Sequence, residues 1–201
     1  MKKNKRYLLK LWWFTRGVAK EVIDMSFYKG CNVVYKSDKH SVDEFVVFDY
    51  NGFRYVVIGG SSKDPEEWEE NLEAYPVEDG THKGYNRAGR KIYHKIKRLL
   101  KNKRVIWLGH SRGGALVQKA RLLHGKGMVY TFGSPRLFTR KKLKELSFEH
   151  LLIRSKGDGV TRLPWAWLPP FWKRYSTEEI VFPAEKGSDH KHYDKLINKY
   201  L

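Results

Sequence analysis

Hydrophobic and polar positions repeat along the chain with two different periods. In FVVFDYNGFRYVVIGG, residues 45–60, two β-rich runs flank Asn51-Gly52, the dipeptide of a tight hairpin turn. RVIWLG, MVYTFG and HLLIRS are short, nearly continuous apolar runs, the pattern of strands covered on both faces. Between such runs the period lengthens. GYNRAGRKIYHKIKRLLKN sets Ile92, Ile96 and Leu99 on one helical stripe and surrounds it with lysine and arginine. ALVQKARLLHGKG reads as a helix closed by glycine. DPEEWEENL reads as a short helix capped by Asp64, with Pro65 first inside, Glu67 completing a capping box, and Trp68 and Leu72 on one face. A strand near Glu178 and a last helix complete the order. Buried strands alternating with helices predict an α/β fold with a mostly parallel central sheet and helices on both faces.

The 201 residues, 41% of them hydrophobic, suffice for one domain with a real core and are too few for two comfortable ones. With no internal repeat, low-complexity tract or linker, a single domain over 1–201 is expected, with residues 1–30 as a basic, aromatic helical segment packed on it. MKKNKRYLLKLWWFTRGVAKEV superficially has the form of a signal peptide, but Lys10 interrupts its apolar part and no small-x-small site follows. It either docks on the core or lies on a membrane surface with Trp12, Trp13 and Phe14 at headgroup level. No stretch reaches the ~18 apolar residues of a spanning helix. The expected location is therefore cytoplasmic or peripheral at a membrane surface. The formal charge of +18 draws the protein to polyanions, an anionic membrane face or nucleic acid. The single cysteine, Cys31, excludes an internal disulfide and a cysteine-rich metal site, and its setting in CNVVYK reads as a buried thiol.

Candidate chemistry begins at Gly109-His110-Ser111-Arg112-Gly113, between an apolar strand and a helical pattern. A serine there sits on a strained turn that lifts its hydroxyl clear of the sheet, and glycines two residues either side let strand and helix approach. A nucleophilic serine needs a base, and the base an orienting acid, in the chain order Ser, acid, His. Asp158 follows the strand HLLIRS in the turn SKGDGVTRLP. Glu145 and Glu149 lie in a charged helical segment before that strand, and Glu178 and Glu179 come late, beside another strand. Two histidines follow Asp158, His190 and His192 in SDHKHYDKL, and the spacing alone admits either. His110 reads as packed under the serine, while His124 and His150 precede the acid.

Six stretches in order resemble the class 3 lipase family, α/β-hydrolases that include fungal triacylglycerol lipases. YVVIGGSSKDPEEWEENL resembles its FRGT strand end followed by a DWxxNL-like run, and THKGYNRAG its HxGF segment. GHSRGGALV resembles GHSLGGALA, TFGSPR matches TFGxPR, GDGVTRLP resembles DxVPRLP, and HKHY resembles HxxY. The resemblance implies an α/β-hydrolase fold without a large cap domain. It implies Ser111 as nucleophile, Asp158 as orienting acid and, through HxxY, His190 as general base. Ser61 would supply one oxyanion amide and Arg112 the second, through its backbone. No metal or organic cofactor is implied. Three features depart from the family pattern. Gly59 stands for the arginine of FRGT. Arg112 stands for leucine, which puts a cation near the elbow. The DWxxNL-like helix carries Asp64, Glu66, Glu67, Glu69, Glu70 and Glu73, so it is expected to be fixed rather than a lipid-sensing lid.

LPWAWLPPFWKRY packs Trp165, Trp167, Phe171 and Trp172 among prolines, then Lys173 and Arg174. Prolines exclude a regular helix, and tryptophan beside basic residues suits a water–membrane interface. The stretch is either a core-packing loop or a rim at the mouth of the site, where Trp165, Trp167 and Phe171 contact substrate. KKNKR, RKKLK and WKRY add attraction to anionic leaflets, roughly 1 kcal/mol per cation near the surface. The expected function is a serine carboxylic-ester hydrolase acting on lipids, of triacylglycerol lipase or phospholipase type, with the charge favouring phospholipid. The alternative is a catalytically silent protein of the same fold that binds anionic membrane or nucleic acid. A complete triad order would be needless there and argues against nucleic acid as partner. A hydrolase of peptide or thioester bonds is a further alternative. The oligomeric state is not legible in the sequence.

Overall fold

The computed structural model describes residues 4–18, 23–38, 43–61, 71, 73–164, 171–185 and 189–201. Among the described residues nine strands follow in chain order: β1 (Asn32–Lys36), β2 (Phe45–Tyr50), β3 (Phe53–Ile58), β4 (Val105–His110), β5 (Met128–Phe132), β6 (Phe138–Thr139), β7 (His150–Ser155), β8 (Trp172–Lys173) and β9 (Glu178–Phe182). Among the described residues the long helices are α1 (Lys5–Gly17), α2 (Lys83–Ile96), α3 (Arg112–His124) and α4 (Tyr193–Tyr200). Seven strands form one sheet in the order β1-β2-β3-β4-β5-β7-β9, and β6 pairs with β8 apart from it. β1, β2 and β3 are antiparallel neighbours, and every later pair in the large sheet is parallel. Asn51 and Gly52 both take positive φ, 48° and 76°, the turn that the right-handed twist of a hairpin favours.

The apolar runs lack alternation because both faces of the sheet are covered. On one face, Leu8, Leu11, Trp12 and Phe14 of α1 and Leu196 and Ile197 of α4 pack against Phe48, Tyr55, Ile106, Leu108 and Phe132. On the other, Ile92 and Ile96 of α2 and Ala115, Leu116 and Val117 of α3 pack against Val47, Val56, Trp107 and Val129. Asn4 caps α1 through its side chain, and Gly125 closes α3 in the left-handed conformation.

Three local expectations change. The chain after α2 tightens into a 3-10 turn, Lys97–Leu100, which rotates Leu99 out of the helical stripe to half-burial. Of the three α1 aromatics placed at headgroup level, Trp12 and Phe14 are core residues and only Trp13, 57% exposed, faces outward. Cys31 is not fully buried, because it lies on the turn before the edge strand β1. Most of the acidic 64–73 helix and both Trp165 and Trp167 lie outside the described residues. Among the described residues, no helix is long and apolar enough to cross a membrane. The parallel strands leave their connections after β3, β4, β5, β7 and β9 at one edge, where open α/β sheets gather their binding residues.

Candidate active site

Ser111 occupies the turn between β4 and α3 with φ 54° and ψ −133°, a conformation non-glycine residues rarely hold. Its amide donates to the Phe132 carbonyl at 2.9 Å, so β5 anchors the turn. The turn also needs room for its neighbours. A Cβ on Gly113 would lie 2.1 Å from the Gly59 carbonyl oxygen, so only glycine lets α3 start this close to the end of β3. The positive end of α3 lies directly after the serine.

His190 comes from the last loop and meets Ser111 across 79 residues of sequence, with Nε2 to Oγ at 2.8 Å. Its other ring nitrogen, Nδ1, lies 2.8 Å from Asp158 Oδ2. Asp158 is nearly fully buried, and Tyr193 OH donates to the same Oδ2 at 2.7 Å while the Val160 amide donates to Oδ1 at 3.0 Å. Burial opposes ionisation of Asp158, but the hydrogen bond and charge of His190, with the Tyr193 and Val160 donors, outweigh it and hold the carboxyl below its ordinary range. An ionised Asp158 accepts from Nδ1–H. That fixes the tautomer and leaves Nε2 as acceptor for the serine hydroxyl. The glycine of TFGSPR makes the pairing possible. At Gly133, φ 58°, a Cβ would lie 2.6 Å from Asp158 Oδ2 and 2.9 Å from His190 Nδ1.

The sequence profile described as Lipase (class 3) matches residues 57–167, more than half of the chain. The chain belongs to the class 3 lipase family. It is therefore a carboxylic-ester hydrolase of lipids. Solved structures of similar fold include a Rhizomucor miehei lipase–propeptide complex, at TM-score 0.68 and 16% identity, covering 89% of this chain and 69% of that one. The Lip2 lipase of Yarrowia lipolytica follows at 0.64 and 13%, covering 90% and 80%. A Penicillium cyclopium protein, MDLA in an N225Q form, gives 0.66 and 15%, covering 96% and 86%. A comparison with curated proteins gives no match.

In this class 3 lipase the loop after β3 passes against the Ser111 turn. A Cβ on Gly60 would lie 3.0 Å from that of Ser111. Ser61 follows, half-buried, and its hydroxyl accepts from Asn71 Nδ2 at 3.0 Å. Asn71 is the asparagine of the DWxxNL-like run, so the motif signalled it, though not its role in holding Ser61. Gly59 donates its amide to the Glu44 carbonyl at 3.1 Å. A side chain at 59 would meet the Val18 carbonyl at 2.5 Å, so the C-terminal end of α1 occupies the space where the family motif has arginine. The cation expected near the elbow is neutralised by a partner. The Arg112 guanidinium is buried and forms an ion pair with buried Asp43. Only the backbone of Arg112 opens α3 beside the serine.

Other supports carried weaker sequence signals. His110 lies under the site and donates from Nε2 to the His190 carbonyl at 2.9 Å, with the Trp12 ring perpendicular to its own and the ring centroids 5.0 Å apart. Burial, then the nearby His190, pushes the His110 pKa down to about 3, so it stays neutral. Asp189, next to His190, accepts from Ser155 Oγ at 2.5 Å and from the Glu185 amide at 3.2 Å. His192 is exposed and immediately precedes α4, away from the serine that His190 meets. Phe171 is 53% exposed at a positive φ of 62°. Among the described residues, no group of three or more His, Cys, Asp or Glu side chains is arranged to hold a metal ion.

Proposed function

We propose that Ser111, His190 and Asp158 form the catalytic triad of this lipid-ester hydrolase. The observation that carries the reading is the unbroken chain Ser111 Oγ–His190–Asp158, with both links at 2.8 Å. His190 Nε2 takes the hydroxyl proton as Ser111 Oγ attacks the ester carbonyl. The tetrahedral oxyanion is held by the amides of Ser61 and Arg112, donors whose individual loss typically costs about 10²–10³ in turnover. His190 then returns the proton to the leaving alcohol. Water, deprotonated by His190, releases the acid from the acyl-enzyme, while Asp158 holds the imidazole. Phe171, 53% exposed, contacts the acyl chain at the mouth; Trp165 and Trp167, expected beside it, lie outside the described residues. The +18 charge favours phospholipid over neutral triacylglycerol.

Intact mass after exposure to a fluorophosphonate tests the assignment. The expected result is one covalent adduct on the parent and none on Ser111→Ala. Well-folded parent protein that takes no adduct would leave a silent, membrane- or nucleic-acid-binding member of the fold as the better reading.

A further inference from the structure

Four arginines gather around the loop that carries Asp158. Arg136 donates from Nη1 to the Pro164 carbonyl at 2.7 Å and to the Arg162 carbonyl. Arg162 donates to the Lys156 carbonyl at 3.0 Å, and Arg174 to the Thr161 carbonyl. Arg154, near the end of β7, meets Glu179 at 3.2 Å. Among the described residues, Glu179 is the one carboxylate paired with this cluster. The other three guanidiniums rest on neutral carbonyls. A carbonyl orients a guanidinium but leaves its charge whole, with further N–H donors to offer.

Such an arrangement works against itself. Burial first, then Arg154, Arg136 and Arg162, brings the Arg174 pKa down to about 10. Burial, then Arg154 and Arg162, lowers that of Arg136. Packing alone does not require four like charges around one loop, and apolar residues there would avoid the repulsion. An anionic partner would relieve it. The surroundings narrow the kind of partner. Leu163 is 39% exposed and Phe171 53% exposed at either end of the 163–171 segment, and exposed Lys156 adds another cation. Apolar side chains framed by arginine and lysine match a bilayer interface, where chains enter below the phosphates that the cations meet.

We propose that this outer side of the Asp158 loop is a docking surface for an anionic phospholipid bilayer. The guanidiniums engage headgroup phosphates, while Leu163 and Phe171 enter the interface. Because the docking loop is the one that carries Asp158, binding there holds the site against its lipid substrate; that consequence alone rests on the triad assignment.

The test is co-sedimentation of the full chain with vesicles of phosphatidylcholine alone or doped with phosphatidylglycerol. Hydrolysis of a soluble short-chain ester is measured in parallel. Binding is expected only to the doped vesicles and is expected to weaken with salt. Removing two of the arginines, Arg154→Gln with Arg162→Gln, should lower that binding about thirtyfold at low salt and leave soluble-ester turnover intact. Lys91→Gln with Lys95→Gln removes the same charge from the exposed side of α2 and should change binding little. Leu163→Ser, which keeps every arginine, should weaken it as well.

Equal losses in the two double variants would assign the attraction to overall charge and overturn the proposal. Equal binding to neutral vesicles would overturn it, as would binding of an oligonucleotide but no vesicle. Docking by a parent that hydrolyses no ester would sink the triad assignment while keeping the surface. Ester hydrolysis without anionic binding would do the reverse.

Discussion

Tyr193 shows how much one hydroxyl contributes at the residue scale. Its OH gives a buried carboxylate one of three donors, at 2.7 Å. Hydrogen bonds to charged groups contribute about 1.5–3 kcal/mol, so Tyr193→Phe should lose stability of that order in urea unfolding at neutral pH. The sign follows from Asp158, whose carboxyl is held below its ordinary range. Its contribution is full above the unfolded pKa and is lost as pH falls through the folded one. Tyr193→Phe removes part of what lowers that value, so the loss should shrink toward zero in strong acid. Unchanged stability at neutral pH would mean that the hydroxyl adds nothing beyond the histidine and the Val160 amide. His110 works differently. It keeps one neutral donor aimed at the His190 carbonyl and so holds the loop rather than the proton.

Two loops must hold a fixed spacing at the element scale. The turn after β7 carries Asp158, and the loop before α4 carries His190. Ser155 and Asp189 tie them together by a 2.5 Å hydrogen bond, and the Gly157 amide donates back to Ser155 Oγ at 3.1 Å. Neither residue touches Ser111, so both are positioning residues. Ser155→Ala should lower kcat by about tenfold to a hundredfold with KM nearly unchanged, since small misplacements of reacting groups cost that much. Ser155→Thr keeps the hydroxyl and should recover most of the rate. A rise in KM alone would show that the tie shapes substrate binding instead. The Asp43–Arg112 ion pair does a similar task on the other side, joining the start of α3 to the segment whose Glu44 carbonyl receives the Gly59 amide.

Acid sensitivity belongs to the whole molecule. Burial brings His82 down to about 4 and His110 and His150 to about 3, from an ordinary 6.5. In this range the unfolded chain binds protons that the folded chain refuses. Stability is therefore full above pH 6.5 and falls as the pH drops from 6.5 toward 3. The thermal midpoint should decline over that window, starting above the pH range where most carboxylates titrate. His150→Gln, which can keep a hydrogen bond to Thr131, should flatten part of the decline. A midpoint that stays level from neutral pH to pH 4 would contradict neutral burial of these rings.

The sequence by itself determined what local pattern controls. Period two against period 3.6 marked the strands and helices. Asn51-Gly52 marked the hairpin, and the glycine spacing around Ser111 marked the elbow, because turn and packing geometry act on adjacent residues. The order Ser111, Asp158 and then a histidine was legible for the same reason. Choosing between His190 and His192 from residues alone was not, since the choice depends on how the last loop docks. Tertiary structure brings His190 to Ser111 across 79 positions, and that contact supports the proposed assignment. It also turned Arg112 toward Asp43, 69 positions earlier, rather than into the site. It gathered Arg136, Arg154, Arg162 and Arg174 from separate segments around one loop. These contacts depend on which surfaces the sheet brings together, and no period or spacing along the chain encodes that.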